Sequence, residues 1–249
     1  MSAHRMPSTR QAMSKDSGME ESSGAAGGPA ARRPGRSARS FPAAAAILAE
    51  HDPVLRRLVN ETGPPRLRSR TDGHFGTLVR AIVYQQLAGA AAAAIHGRLI
   101  ATLDGQVTAE GLLALPADTL RAAGLSANKT ASLQDLAAKV LDGTVVLDAA
   151  GLRTESDDEV ITRLSAVRGI GTWTAQMFLM FQLRRLDVWP TGDLGVRKGF
   201  GLAWGIPTPT PKQLEPLGEP YRPYRSVVAW YCWRAAELYG GAADSALTR

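Results

Sequence analysis

Apolar residues recur at spacings of three and four along most of the chain after Phe41, which is the pattern of amphipathic α-helices. The clearest examples are Phe75-Leu78-Val79-Ile82-Val83 and Leu133-Leu136-Val140. Further helices are predicted over residues 41–60, 86–103, 109–123, 157–167, 172–184, 193–204 and 224–239. A single β-like stretch, residues 144–147, is too short to build a sheet. The pattern therefore predicts an all-α fold.

Glycine and proline separate the predicted helices. They fall at residues 63–65, 104–105, 142–143 and 169–171 and in a proline-rich run from Pro207 to Pro220. No apolar run reaches the roughly 18 residues that a membrane-spanning helix needs. The one cysteine, Cys232, excludes an intramolecular disulfide and a cysteine-only metal cluster within one chain. An intracellular protein is expected, cytoplasmic and associated with the nucleoid if the source is bacterial.

Composition divides the chain into three parts. Residues 1–40 are rich in Ser, Gly, Ala, Pro and Arg, so we predict a disordered basic tail that is either inert or a non-specific DNA-contacting arm. Residues 41–240 form the predicted helical domain, and residues 241–249 a C-terminal tail. The first 40 residues hold seven of the 29 basic and three of the 23 acidic residues, which leaves the domain a net charge of only about +2. Bulk charge therefore does not predict nucleic-acid binding.

A predicted hairpin between two helices covers residues 164–175. One amphipathic helix ends, the turn Gly169-Ile170-Gly171 follows, and a second apolar helix begins at once. Two glycines let the backbone reverse tightly and approach another molecule closely. The start of the second helix offers free amide N–H groups and the positive end of its dipole, which suit a phosphate. The alternative is an ordinary helix connection with a glycine cap.

A carboxylate lies about twenty residues after this hairpin. Asp193 follows Gly192 at the end of a loop that contains Pro190, and it precedes an apparent helix. Such a residue is commonly a helix N-cap. A capping carboxylate is also held rigid and ionised by nearby N–H groups, so an N-cap can serve catalysis as well. Asp187, the nearest rival carboxylate, is interpreted as structural.

The hairpin together with Asp193 resembles the helix-hairpin-helix DNA glycosylase superfamily, and the C-terminal stretch Pro223-Tyr224-Arg225-Ser226 is closest to the DNA-3-methyladenine glycosylase II group. This resemblance implies a two-lobed helical fold with a cleft between the lobes. It implies phosphate binding by the amides of Gly169, Gly171 and Thr174. It also implies a monovalent cation, Na⁺ or K⁺, held by the backbone carbonyls of Ser165, Val167 and Ile170, and no required cofactor.

The resemblance also implies an aromatic pocket for a base swung out of the DNA stack. Trp173 and Trp233 match the walls of that pocket. Trp230 lies three residues before Trp233 and shares its helix face, and Met177 lies one turn after Trp173. The alternative for both C-terminal tryptophans is a place in the hydrophobic core.

Three polar residues are further candidates for DNA contact. Gln86 matches the family position that fills the gap left by the flipped nucleotide, and its alternative is a surface helix terminus. Lys129 follows a family-like turn and is a candidate phosphate contact. Arg197 either contacts phosphate or pairs with an acid.

The resemblance implies a monofunctional DNA glycosylase that acts as a monomer on damaged double-stranded DNA. A base alkylated at a ring nitrogen already carries positive charge, so it can leave without an acid and one carboxylate, Asp193, suffices to stabilise the cationic sugar. Bifunctional members have a lysine where this chain has Trp173, which argues against strand cleavage. Alternatives are a non-catalytic DNA-binding protein, a glycosylase or lyase for other damaged bases, and a protein-interaction domain.

Overall fold

The computed structural model describes residues 38–67 and 72–246, with side chains up to residue 241. These residues form α-helices joined by short turns and contain no strand, which confirms the all-α prediction. The helices are α1 (Phe41–His51), α2 (Pro53–Thr62), α3 (Gly73–Tyr84), α4 (Gly89–Thr102), α5 (Ala109–Ala114), α6 (Ala117–Ala122), α7 (Ala127–Leu141), α8 (Gly151–Thr154), α9 (Asp157–Ser165), α10 (Thr172–Met177), α11 (Leu194–Trp204), α12 (Pro211–Leu217) and α13 (Arg225–Ala246). A π-helical segment, Phe178–Gln182, continues α10, and a 3₁₀ turn, Glu219–Tyr221, follows α12.

The predicted tails fall largely outside the described residues. Residues 1–37 and 247–249 are not described, so the prediction of a disordered basic tail stays a prediction. At the other end, α13 continues past residue 240 to Ala246. Among the described residues, every helix is too short or too polar to span a bilayer.

Proline divides two of the predicted helices. The predicted helix 41–60 is two helices, because Pro53 has no N–H to donate and holds Asp52 in an extended conformation. Asp52 then caps α2, with its Oδ1 accepting from the amides of Val54 at 2.7 Å and Leu55 at 2.9 Å. Pro116 likewise divides the predicted helix 109–123 into α5 and α6. Both corrections have the same cause.

The proline-rich run 207–220, interpreted as a breaker, contains a helix. α12 begins with Pro211 at its first position, where a missing N–H costs nothing. Thr210 and Gln213 form a capping box, in which each side chain bonds the other residue's backbone amide. The Thr-x-x-Gln spacing was a readable signal for this helix start.

The helices contact one another mainly within two groups, although their buried side chains form one continuous core. The terminal lobe consists of α1, α2 and α11–α13, and the central lobe consists of α3–α7, α9 and α10. The chain therefore enters the terminal lobe, leaves it to build the central lobe, and returns. The lobes meet where the side chain of Trp173, in α10, bonds that of Asp193, which precedes α11. This arrangement agrees with the two-lobed fold expected from the resemblance.

The closest helix pair is α11 against α13, and glycine makes the approach possible. A Cβ placed on Gly199 would lie 1.7 Å from the carbonyl oxygen of Cys232. No side chain fits that space, so the two backbones touch at this point. The contact fixes the start of α11, which carries Asp193, relative to the middle of α13, which carries Trp233.

Candidate active site

Asp193 is the N-cap of α11. Its Oδ1 accepts a hydrogen bond from the amide of Val196 at 2.8 Å, the third residue of the helix. This bond satisfies one of the unpaired donors at the helix start and holds the carboxylate in one orientation. The capping role and a catalytic role are therefore carried by the same side chain.

Two tryptophans also hold the Asp193 carboxylate. The indole N–H of Trp173 donates to Oδ2 at 2.6 Å, and that of Trp233 donates to Oδ1 at 2.9 Å. With the Val196 amide, three N–H groups converge on one carboxylate from three separate elements. Three donors from different directions reduce the freedom of the carboxylate to turn. The resemblance implied rings that stack on a base, and the structure adds that both ring edges orient the carboxylate.

Gly195 makes room for Trp233 beside Asp193. A Cβ at this position would lie 2.8 Å from Cδ1 of Trp233 and 3.1 Å from Oδ1 of Asp193. The Trp233 ring is supported on another side by Phe181, at 5.7 Å between centroids. The position of this indole is thus set by a glycine in α11 and an aromatic ring in the π-helical segment.

The loop that leads to Asp193 is anchored at its start. Asp187 accepts from Arg222 at 2.7 Å and from Nε of Arg225 at 2.8 Å, which agrees with its interpretation as structural. The amide of Val188 donates to Ser226 Oγ at 2.8 Å, and the buried indole of Trp189 donates to a carbonyl of α12. Both arginines are therefore engaged with acids and the loop, and Asp193 stands at the end of a fixed segment.

The hairpin is held tightly against α7. Gly169 has φ +78, and a Cβ on it would lie 2.6 Å from Oγ of Ser132. The next contact along α7 is Asp135, whose Oδ2 accepts from the amide of Arg168 at 2.7 Å. Gly171 is the N-cap of α10 and is exposed, so its side of the turn is open to a ligand.

The hairpin carbonyls implied as cation ligands lie on this same turn. Val167 and Ile170 are buried side chains, whereas Ser165 is exposed at the end of α9. The Val167 carbonyl accepts from the Ile170 amide at 3.0 Å, which closes the turn. A carbonyl oxygen has a second lone pair, so this geometry is compatible with a cation. The cation stays a prediction.

An open cavity of about 500 Å³ lies between the end of α3 and the hairpin. It borders Trp173, and its walls include Met177 and Thr174, which the sequence had singled out, together with Gln86. Its full lining is Ala81, Tyr84, Gln85, Gln86, Gly169, Trp173, Thr174 and Met177. The volume lies in the range of small-molecule sites, which suits a single nucleotide base.

A smaller cavity of about 170 Å³ shares Tyr84, Thr174 and Met177 with it, and sequence reasoning missed several of its lining residues. Phe181 forms one wall, and the guanidinium of Arg80 stacks over the Tyr84 ring at 3.9 Å from the centroid. Phe181 was readable in principle, because Trp173, Met177 and Phe181 follow each other at intervals of four. Tyr84 and Arg80 lie on α3, where the spacing of apolar residues predicts only the buried face of the helix.

Two predicted site residues have other contacts in the structure. Trp230 packs edge-on against Tyr231 with ring centroids 5.0 Å apart. Like Trp233, it is absent from the described lining of both cavities, but unlike Trp233 it makes no described hydrogen bond to Asp193. Its contacts fit the alternative of a core residue. Arg197 is half-buried and donates to the carbonyl of Pro209 at 3.3 Å, so its charge supports the loop after α11. No described acid pairs with Arg197, and its predicted phosphate contact stays a prediction.

Comparison with known proteins identifies the family. The model of the HhH-GPD superfamily of base excision DNA repair proteins matches residues 79–223. The chain belongs to this superfamily. The matched residues contain the second half of α3, the hairpin, the anchored loop and Asp193, and they end just before α13.

Individual relatives agree with the family match. DNA-3-methyladenine glycosylase 1 of Schizosaccharomyces pombe is 34% identical over 187 residues, which cover 74% of this chain and 81% of the relative. The structure of a 3-methyladenine DNA glycosylase of that yeast in complex with abasic DNA matches with a TM-score of 0.69 and 33% identity, over 78% of this chain and 97% of that one. A DNA-3-methyladenine glycosidase from Bacillus halodurans matches with a TM-score of 0.70 and 33% identity, over 78% and 89% of the two chains.

Proposed function

We propose that this protein is a monofunctional DNA glycosylase that removes alkylated bases of the 3-methyladenine type from double-stranded DNA by base flipping. The observation that carries the proposal is the Asp193 carboxylate, held by three N–H donors, one of which belongs to Trp173 in the lining of the larger cavity. The names of the relatives support the same reaction and the same class of substrate.

The reaction needs a fixed negative charge near the deoxyribose. Cleavage of the N-glycosidic bond passes through an oxocarbenium-like state, in which the sugar becomes positively charged. Asp193 stabilises that charge through space and orients the attacking water. Its three donors hold the carboxylate in place before the substrate arrives, so little reorganisation is needed during the reaction. A base alkylated at N3 or N7 leaves as a neutral molecule and needs no protonation.

The cavity and the hairpin provide the other two requirements. Trp173 is 49% exposed, so its ring face is available to a base even while its edge bonds Asp193. An electron-rich ring attracts a cationic base by roughly 0.5–2 kcal/mol. The hairpin amides of Gly169, Gly171 and Thr174 hold the DNA backbone, and Gln86 fills the gap in the stack. We further propose that the protein acts inside the cell as a monomer, requires no cofactor, and binds Na⁺ or K⁺ only at the hairpin.

Excision of the base without strand cleavage tests this function. A duplex oligonucleotide that contains one alkylated purine is expected to release the free base and to retain an intact strand until alkali cleaves it. Because Trp173 stands where an amine nucleophile would be needed, borohydride is expected to trap no covalent adduct. The measurement is base release by chromatography, with denaturing gels before and after alkali.

Each alternative gives a different result in the same assay. A borohydride-trapped adduct would indicate a lyase and overturn the monofunctional assignment. Binding without base release from any lesion would indicate a non-catalytic DNA-binding protein. A panel that includes 7-methylguanine, ethenoadenine and hypoxanthine measures the substrate range, since neutral lesions require protonation of the leaving group and are expected to react more slowly.

The indole N–H groups are expected to contribute to the rate separately from the ring faces. Trp173→Phe and Trp233→Phe keep an aromatic face and each remove one donor to Asp193. We expect each to lower the single-turnover rate about tenfold, because a hydrogen bond to a charged group contributes about 1.5–3 kcal/mol. Binding of lesion DNA is expected to change little.

The control is Trp230→Phe, since Trp230 contacts Tyr231 rather than Asp193. It alters the same residue type on the same helix and is expected to retain the rate. An unchanged rate in both Trp173→Phe and Trp233→Phe would show that the tryptophans act through their ring faces alone.

A further inference from the structure

Lys129 is bound to the protein's own backbone at the end of α3. Its Nζ donates to the carbonyl of Val83 at 2.6 Å and to that of Gln85 at 2.8 Å. Lys129 lies in the first turn of α7, 44 residues further along the chain than Gln85. The last carbonyls of a helix have no partner within the helix, and an ammonium group satisfies them well. Burial at this position lowers the pKa of the Lys129 ammonium.

The carbonyls that Lys129 binds lie just before Gln86, the candidate wedge residue, whose side chain is expected to fill the gap left by the flipped nucleotide. Gln86 has φ +56, in the left-handed region that a residue with a side chain seldom adopts. Its side chain is exposed and borders the larger cavity. A strained conformation of this kind persists only where neighbouring contacts fix it. The Lys129 ammonium fixes the backbone on the N-terminal side of Gln86.

The same loop is tied to the hairpin. Nε2 of Gln85 donates to the carbonyl of Gly169 at 2.8 Å. The hairpin is itself bound to α7, through the Arg168 amide on Asp135 and the Arg168 guanidinium on Asn128 at 3.1 Å. One helix, α7, therefore holds both the loop that presents Gln86 and the turn expected to bind the DNA backbone.

We propose that Lys129 is a positioning residue that holds Gln86 at a fixed offset from the hairpin, so that Gln86 enters the base stack when the hairpin binds the backbone. This proposal rests on the proposed function and replaces the expectation that Lys129 contacts a phosphate. Two of its three N–H donors face protein carbonyls, and its charge is directed into the protein. The energetic benefit is that the wedge does not need to be ordered at each encounter with DNA.

Salt dependence separates the two roles of Lys129. A lysine that neutralises a phosphate contributes about one unit to the slope of log affinity against log salt concentration. We expect Lys129→Met to leave the slope for undamaged DNA unchanged. We also expect Lys129→Met to lower the single-turnover excision rate about tenfold. The fluorescence gain of a 2-aminopurine placed next to an abasic site is expected to fall severalfold.

A double-mutant cycle tests whether Lys129 acts through Gln86. Gln86→Ala removes the wedge side chain, so adding Lys129→Met to it is expected to cause little further loss. Lys129→Arg can still donate to two carbonyls and is expected to restore part of the 2-aminopurine signal. Gln85→Leu removes the bond to Gly169 without changing charge, and it is expected to lower the excision rate and the 2-aminopurine signal in the same way. This variant tests the proposal if Lys129→Met is poorly folded.

The matched control for charge is Lys212→Met, at an exposed position of α12. A slope reduced by about one unit in Lys129→Met but not in Lys212→Met would overturn the proposal in favour of a phosphate contact. Additive losses in the cycle with Gln86→Ala would also overturn it. If the unmodified protein excises no lesion, the proposed function fails, whereas the 2-aminopurine comparison on abasic DNA still measures positioning.

Discussion

Asp193→Asn is expected to lower single-turnover excision by roughly two to three orders of magnitude, the loss typical of removing a central electrostatic group. Asparagine is also a good N-cap, so its Oδ1 can still accept from the Val196 amide and α11 keeps its start. Its other terminal atom is an NH₂ donor, which would face the indole N–H of Trp173 where a carboxylate oxygen now accepts. The variant therefore loses the charge and repels one of the donors.

The measurement is the excision rate at saturating enzyme, with lesion binding followed in parallel. Binding is expected to persist, because the hairpin and the tryptophan faces are unchanged. The control is Asp187→Asn, which alters a carboxylate of the same loop that is engaged with Arg222 and Arg225. Asp187→Asn is expected to lower the Tm, whereas the folded variant is expected to excise the base at close to the original rate. Excision that survives in Asp193→Asn at near its original rate would refute the assignment of the catalytic carboxylate.

Gly199→Ala is expected to destabilise the fold by more than about 3 kcal/mol, at the upper end of overpacking effects. The added Cβ would lie 1.7 Å from the carbonyl oxygen of Cys232 and 2.4 Å from its carbon. These are backbone atoms, so no side chain can turn away and α11 must separate from α13. That separation also moves Asp193 away from Trp233, and excision is expected to fall with the structure.

Thermal unfolding by circular dichroism measures this effect, with a decrease in Tm of roughly 10 °C expected. Gly97→Ala is the matched control, because Gly97 lies inside α4 with nothing within 4 Å of an added Cβ. It is expected to be neutral or to stabilise the protein by about 0.5–1 kcal/mol, since alanine favours a helix more than glycine does. Equal Tm values for the two variants would show that α11 and α13 do not make the contact described.

Local sequence patterns predicted most of the helices and much of the site. The spacing of apolar residues identified α3, α7 and α13, and the Gly-Ile-Gly turn identified the hairpin. The position of Asp193 before an apolar helix predicted an N-cap, which the structure has. These features depend on residues within a few positions of each other, because helix hydrogen bonds and caps connect near neighbours.

Apolar spacing predicts the helix boundaries less well at prolines. Pro53 and Pro116 end helices that the apolar spacing alone would continue, and the capping box at Thr210 starts a helix within a run of prolines. Each case has a local cause that the sequence contains. At these positions the missing proline N–H or the capping box, rather than the apolar period, sets the helix boundary.

Local residue patterns predict the helical fold and the hairpin, and the family resemblance selects the carboxylate at the start of α11. The folded chain is needed to see that Trp173 and Trp233, 20 and 40 residues from Asp193, orient that carboxylate with their N–H groups. It is also needed to see that Lys129 binds the carbonyls of Val83 and Gln85 at the end of α3. Such contacts join elements far apart in the chain, and they depend on how whole helices pack, which no local pattern of residues encodes.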